Sequence, residues 1–370
     1  MIRNNIIISA NSSWNIYNFR INLLKNLLNR NFKIKILIPY IDKYSIALEK
    51  MGCEIFIIKF SPRKKSILES IILFFNYIYY FNKIKPKYFL SFTIKPNLIG
   101  TISSLFFNIK VINNITGLGS VFIQNKYLIK IIVMIAYKVI FLKSTVVFFQ
   151  NKTDQSLFIK HRLIKKSKAI LIPGSGINLD LYKYCEPINK INRNFNFLYF
   201  GRVISEKGIL ELINAITKVK SKNYNISFMI IGNTDINDNK YYEITKSLKQ
   251  YNYLFSYKNY TDDIIKYIKT SDCVILPSYR EGMPRTLLES AALGVPIMAS
   301  NVAGCNDIII NDKTGLLFNV KDPSDIVSKI MFFVNMSHKE KIRLTKNARK
   351  KIEKEFDEKI VIEKYNNYIR

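Results

Sequence analysis

The stretch Arg280-Glu281-Gly282-Met283-Pro284-Arg285-Thr286-Leu287-Leu288-Glu289, set between the apolar run 273–276 and the turn Gly294-Val295-Pro296, decides how this chain is read. Pro284 suits a first helical turn and Gly294 suits a helix end, so the spacing predicts a helix between them. Glu281 then lies in the loop ahead of the helix, and Glu289 lies over a turn inside it. Two carboxylates so placed can touch opposite ends of one elongated ligand. The amides of the helix N-terminus between them suit phosphate. The geometry suggests a sugar nucleotide, with carboxylates for the hydroxyls at each end and amides for the diphosphate in the middle.

Working outward, the second half of the chain shows a strand-and-helix rhythm, with strand candidates at 195–200, 226–231, 253–257 and 273–276. Arg202 and Lys207 follow the first of these, where cations can meet phosphate oxygens at a sheet edge. Thr261 or Asp262 reads as the N-cap of a further helix. No Asp-x-Asp occurs in the sequence, so fixed cations rather than a metal held by that motif are expected to offset a diphosphate charge. His161 and His338 are the two histidines and neither sits in a motif, which argues against a histidine base.

The first half has the same rhythm, with strands predicted at 5–9, 33–38, 54–59, 88–92, 111–113, 146–150 and 169–172 and an amphipathic helix at 18–29. Alternation of this kind predicts parallel sheets covered by helices on both faces. The Pro- and Gly-containing stretch 173–182 reads as a hinge, which predicts an active site in the cleft between two α/β domains. The expected division is 1–178, 179–354 and a terminal helical segment 355–370.

At 370 residues and 48% hydrophobic content, the chain is long enough for two cores and too apolar for disorder. Its net charge of +30 is lopsided: residues 1–180 hold 27 Lys and Arg against 6 Asp and Glu. Such an excess predicts an anionic partner for the first half, a membrane surface or a phosphorylated lipid. The bland alternative is lysine enrichment through codon bias. Cys53, Cys185, Cys273 and Cys305 are scattered and read as small buried residues in a reducing compartment. The first residues do not form a secretory signal and no uncharged apolar run reaches 18 residues. Residues 66–81 and 127–144 come nearest, with Glu69, Lys130 and Lys138 interrupting them. Each reads either as a helix packed on a sheet or as a helix on a bilayer, with lysines reaching lipid phosphates. The packed reading is preferred for 66–81 and the membrane surface for 127–144.

LPSYREGMPRTLLESAALGVPIMAS (276–300) resembles the donor-site signature of the retaining glycosyltransferases with two Rossmann-like domains, the GT-B fold and the group 1 glycosyl transferases within it. FGRVISEKG (200–208) and SNVAGCNDIIINDKTGLLF (300–318) resemble two further blocks of that family, in the family's order. The resemblance implies that Glu281 contacts the donor sugar and Glu289 the ribose. It implies that Arg202 and Lys207 neutralise the diphosphate, with Gly201, Gly282, Met283 and Pro284 lining the donor site. Asp307 stands where the family more often has Glu and is given no role. The resemblance also implies that 355–370 crosses back onto the first domain.

SANSSWNIYNFR (9–20), SFTIKPNLIG (91–100), INNITGLGSVF (112–122) and LIPGSGINLDLY (171–182) resemble a bacterial subgroup that adds hexosamines or related sugars to undecaprenyl-diphosphate-linked saccharides for O-antigen, capsule or protein glycosylation. By that resemblance Asn11, Ser12, Ser13, Thr93, Lys95, Thr116 and Gly117, all at strand ends, would bind the acceptor. Ser12 and Ser13 replace glycines often found there. The expected activity is retaining transfer from a UDP-linked sugar to a lipid-linked saccharide. It would need no cofactor and no metal, and would take place at the inner face of the cytoplasmic membrane. A sugar-nucleotide epimerase or hydrolase on the same fold is the enzymatic alternative. A non-catalytic basic protein binding membrane or nucleic acid is the other, though no RNA-binding motif is present and no nucleic-acid partner is expected.

Overall fold

A computed structural model describes residues 4–61, 66–117, 127–187, 194–221 and 225–370, the side chains of 127–130 excepted. Two units divide it, one formed by residues up to Ser175 together with Lys359–Arg370 and the other by Gly176–Glu358. The boundaries differ from 178/179 and 354/355 for a local reason. Ile177 bridges Asp357, donating to Phe356 O at 2.8 Å and accepting from Glu358 N at 3.1 Å, so both connecting strands of chain belong to the second unit.

The first unit is built on β1 (Asn5–Ser9), β2 (Lys33–Ile38), β3 (Glu54–Ile57), β4 (Tyr88–Phe92), β5 (Lys110–Ile115), β6 (Ser144–Phe149) and β7 (Ala169–Leu171). All pair in parallel, in the order β3-β2-β1-β4-β5-β6-β7. Side chains alternate between faces. Ile6 and Ile8 pack with Leu24 and Leu27 of the helix Ser13–Asn29, while Ile7 packs with Tyr77 and Phe81 of the helix Ile67–Ile84. Both faces being covered explains why these strands read as nearly unbroken apolar runs.

The chain's last helix, Glu358–Asn366, completes this core: Tyr365 lies 4.5 Å from the Phe148 ring and its hydroxyl accepts from Asn114 Nδ2 at 2.9 Å. Tyr88 Oη donates to Arg370 O at 2.7 Å, tying down the terminus.

The second unit contains β8 (Phe195–Phe200), β9 (Ile226–Ile231), β10 (Ser256–Lys258), β11 (Cys273–Leu276), β12 (Ile297–Ser300) and β13 (Leu316–Phe318), again parallel, in the order β10-β9-β8-β11-β12-β13. In each unit the strand order reverses once, at β1/β4 and at β8/β11, and parallel sheets bind ligands beyond the strand ends at such a switch point. β10 starts three residues later than 253 because Leu254 N bonds Tyr251 O in a turn that closes the preceding helix. Asp263, one residue beyond the expected cap, accepts from Lys266 N. Cys185 is exposed, unlike the other three cysteines, and all four are free thiols.

Candidate functional site

In the second unit the loops leaving β8 and β11 emerge side by side at the switch point. Two glycines permit the approach. Gly208 has φ +68 and an added Cβ would sit 2.0 Å from Pro277 O; Gly304 has φ +83 and its Cβ would meet Glu281 O and Gly282 O at 2.8 Å. The sequence fragments 201–208, 277–284 and 301–304 are thereby drawn together although far apart in the chain.

Lys207 Nζ and the Glu281 carboxylate form an ion pair, with side chains 19% and 10% exposed. The two groups expected to serve the diphosphate and the donor sugar thus hold each other. Arg202 is exposed, and its backbone carbonyl rather than its side chain is engaged by the Tyr199 hydroxyl at 2.6 Å. Burial raises the Glu206 carboxyl above its ordinary range, with Arg202 pulling the other way, so Arg202 lies within electrostatic reach of this loop.

Arg285–Leu293 is the helix foreseen between the paired carboxylates, with Pro284 as N-cap rather than in the first turn and Gly294 ending it at φ +83. Pro284 has no side-chain donor or acceptor to cap the helix. Thr286 Oγ1 donates to Phe200 O at 3.2 Å, pinning the helix start against the end of β8. Glu289 is buried, and its Oε1 accepts from Arg285 Nε at 2.8 Å. Tyr182 bonds to both partners. Neither Arg285 nor Tyr182 was singled out for the site; the i, i+4 spacing of Arg285 and Glu289 carried the signal. Gly282 and Met283 are half-buried in the loop with Glu281, and Gly201 ends β8 at φ +149. Asp307, left without a role, accepts from Gly304 N at 3.2 Å and caps the short helix Cys305–Ile308.

In the first unit, Asn11, Ser12 and Ser13 follow β1 while Thr93 and Lys95 follow β4, so both groups flank its switch point. Ser12 caps the helix Ser13–Asn29, accepting from Asn15 N at 3.2 Å, and Ser13 Oγ donates to Asp42. Lys95 is drawn away to Glu69 at 2.8 Å and Ser61 O at 2.6 Å. Thr93 stands apart: φ is +71, sterically costly for a β-branched residue, and its Oγ1 is buried with no partner among the described residues. Asn97 N donates to Thr93 O at 3.0 Å, and the residues around Asn97 are themselves hydrogen-bonded. Asn113 Nδ2 donates to Ser91 Oγ and Thr101 Oγ1, both at 2.8 Å, and Asn97 Nδ2 donates to Asn114 O at 2.9 Å, which fixes the π-turn Pro96–Gly100. Thr116 and Gly117 follow β5; the rest of that loop lies outside the described residues.

Residues 186–351 match the family model for glycosyl transferases group 1. The chain is 26% identical over 368 residues to the Campylobacter jejuni N,N'-diacetylbacillosaminyl-diphospho-undecaprenol alpha-1,3-N-acetylgalactosaminyltransferase, covering 95% of this chain and 94% of that one. It is 31% identical over 217 residues to the Escherichia coli UDP-Gal:alpha-D-GlcNAc-diphosphoundecaprenol alpha-1,3-galactosyltransferase, covering 55% and 54%. Among solved structures, Anabaena HepE in complex with UDP and glucose superposes with a TM-score of 0.80 at 15% identity over 99% of each chain. Residues 186–351 thus resemble the group 1 glycosyl transferases, and the chain is a glycosyltransferase with two Rossmann-like domains.

Proposed function

We propose that this glycosyltransferase moves a sugar, a hexosamine or related hexose, from a UDP-linked donor to an undecaprenyl-diphosphate-linked saccharide, with retention of configuration. The observation that carries the donor side is the meeting of Lys207, Glu281 and the uncapped helix start at one switch point. An incoming diphosphate competes for Lys207 and frees Glu281 to accept donor-sugar hydroxyls. Arg202, Lys207 and the helix amides stabilise charge as the sugar–phosphate bond breaks. The acceptor hydroxyl bonds to the same face of the sugar and passes its proton to the departing phosphate oxygen. The relatives' lipid-linked acceptors support the acceptor class. The test is transfer of radiolabel from a panel of UDP-sugars to extracted lipid-linked oligosaccharides, identified by mass spectrometry. Release of free sugar without an acceptor would favour a hydrolase instead.

With fixed cations offsetting the diphosphate, transfer should persist in excess chelator. Loss of activity that magnesium or manganese restores would overturn this charge assignment.

Acceptor recognition is assigned to the first unit, with Thr93 the residue best suited to a ligand role. Backbone strain of this kind costs about 1–3 kcal/mol and persists at functional sites. Thr93→Gly removes both the strain and the orphaned hydroxyl. We expect a melting temperature no lower than wild type, a raised acceptor KM and little change in kcat. A destabilised variant with normal acceptor KM would make Thr93 a structural residue.

A peripheral position on the membrane fits the same unit. Among the described residues no helix is long and apolar enough to cross a membrane. The helix Ile67–Ile84 buries Leu73, Tyr77, Phe81 and Ile84 while exposing Ile67, Leu68, Ile71, Ile72, Phe75 and Tyr79. The helix Tyr127–Lys143 buries Tyr137, Ile140 and Phe141 while exposing Ile132, Ile135, Val139 and Leu142. Both therefore pack on the sheet and also leave an apolar face outward, which supports a bilayer contact through either helix.

A further inference from the structure

We propose that Arg285 and Tyr182 are positioning residues that hold the Glu289 carboxylate in place for a ligand diol, and so set the preference of this site for a ribonucleotide over a deoxyribonucleotide. The proposal rests on the assignment of Glu289 to the donor ribose and deepens it.

Arg285 Nε donates to Glu289 Oε1 at 2.8 Å from one turn earlier on the same helix, and both side chains are largely buried. Tyr182, 6% exposed, reaches the pair from the segment that follows Gly176 and is hydrogen-bonded to both. The protons can run only one way. Guanidinium has donors and no acceptor, so it donates to the phenol oxygen as well as to the carboxylate. The phenol proton then goes to Glu289. Burial, and next the charge of Glu289, keep the Tyr182 hydroxyl well above its usual range, so it remains a donor at any working pH.

The placement of Arg285 is costly for the helix itself. A cation in the first turn faces the positive end of the helix dipole, and Arg before Glu at i, i+4 is the weaker order. Stability alone favours an acidic residue there, yet the first turn has none. What Arg285 supplies is a fixed carboxylate. Of its roughly four lone-pair positions, those facing Arg285 and Tyr182 are occupied within the protein. The remaining positions accept hydrogen bonds and offer none, so their partner must donate from neighbouring hydroxyls. A ribose diol does so, and a 2′-deoxyribose lacks one donor.

The test uses the full-length protein and calorimetric affinities for UDP and 2′-deoxy-UDP. Wild type should prefer UDP by at least roughly tenfold, the net worth of one hydrogen bond. Tyr182→Phe and Arg285→Met should each compress that ratio several-fold while Arg285→Lys restores part of it, which a purely structural role would not do. Glu289→Gln is the control on the underlying assignment. If wild type shows no preference, or Glu289→Gln keeps it, the ribose assignment fails and the proposal falls with it. If Glu289→Gln abolishes the preference while folded Tyr182→Phe and Arg285→Met retain the wild-type ratio, the assignment stands and the positioning role is overturned. Should Arg285→Met not fold, Tyr182→Phe, which deletes one oxygen, decides the matter.

Discussion

Glu281→Gln and Arg202→Ala should each leave a folded protein whose turnover is reduced by roughly 10²–10³, the usual cost of removing one preorganised contact to developing charge. Glu281 is half of an ion pair with Lys207 and only 10% exposed, so the isosteric amide keeps the shape of the loop and removes the charge. Arg202 is exposed, and the Tyr199 hydroxyl engages its carbonyl, which alanine retains. Neither substitution opens a cavity. Because both contacts strengthen as the donor's bond to phosphate breaks, kcat and kcat/KM should fall together, whereas loss of ground-state binding would raise KM alone. Initial rates over a range of donor concentrations, beside thermal melts, read this out. Folded variants with near-normal turnover would remove the two residues from the chemistry.

The loop-and-helix layout of the second unit's candidate site was legible because its parts are local. Glu281, Pro284, Glu289 and Gly294 lie within one loop and one helix, and turn and cap preferences place them to within a residue; Pro284 is N-cap instead of first turn because its φ of −74 is paired with an extended ψ of 111. Partners distant in sequence were not legible. Lys207 meets Glu281 across 74 residues only because β8 and β11 are neighbours, a fact of strand order that periodicity does not carry. Tyr182 read as hinge, yet its ring is core and its hydroxyl serves Glu289. In the first unit the motifs predicted a set of ligand residues, among which Lys95 pairs with Glu69 and Ser12 caps a helix, partners that the motifs did not announce. Thr93 keeps a strained backbone that no sequence pattern announces. The two apolar helices posed a different difficulty. Packed-on-sheet and membrane-facing readings looked exclusive, whereas a helix apolar on more than one side can do both.

That double character makes the second large effect one of location: the first unit should bind anionic bilayers, and removing charge or apolar area should weaken binding separably. Each basic residue near an anionic surface contributes about 1 kcal/mol. Of the lysines around 127–144, Lys126 lies outside the described residues, as does the side chain of Lys130; Lys138 is exposed, and Lys143 donates to Phe107 O at 2.8 Å. With Lys143 held by the protein, changing all four to Gln should lower binding to anionic liposomes roughly a hundredfold, the worth of the other three. Added salt should mimic the change by screening, and binding to neutral liposomes should hardly alter. Leu68, Ile72 and Phe75 point outward from the helix Ile67–Ile84, at 68%, 49% and 62% exposure. Changing these three to Ser should weaken binding to neutral and anionic liposomes alike, by roughly a hundredfold or more if they insert, since each apolar side chain is worth about 1.5–3 kcal/mol on burial. Soluble acceptor analogues should be used normally by both variants, because none of the substituted residues is assigned to donor or acceptor binding. Co-sedimentation distinguishes the outcomes. If only the lysine variant loses binding, contact is electrostatic and the helix Ile67–Ile84 stays in water. Equal binding by wild type and both folded variants would assign the basic excess to composition alone and leave the exposed faces without a bilayer partner.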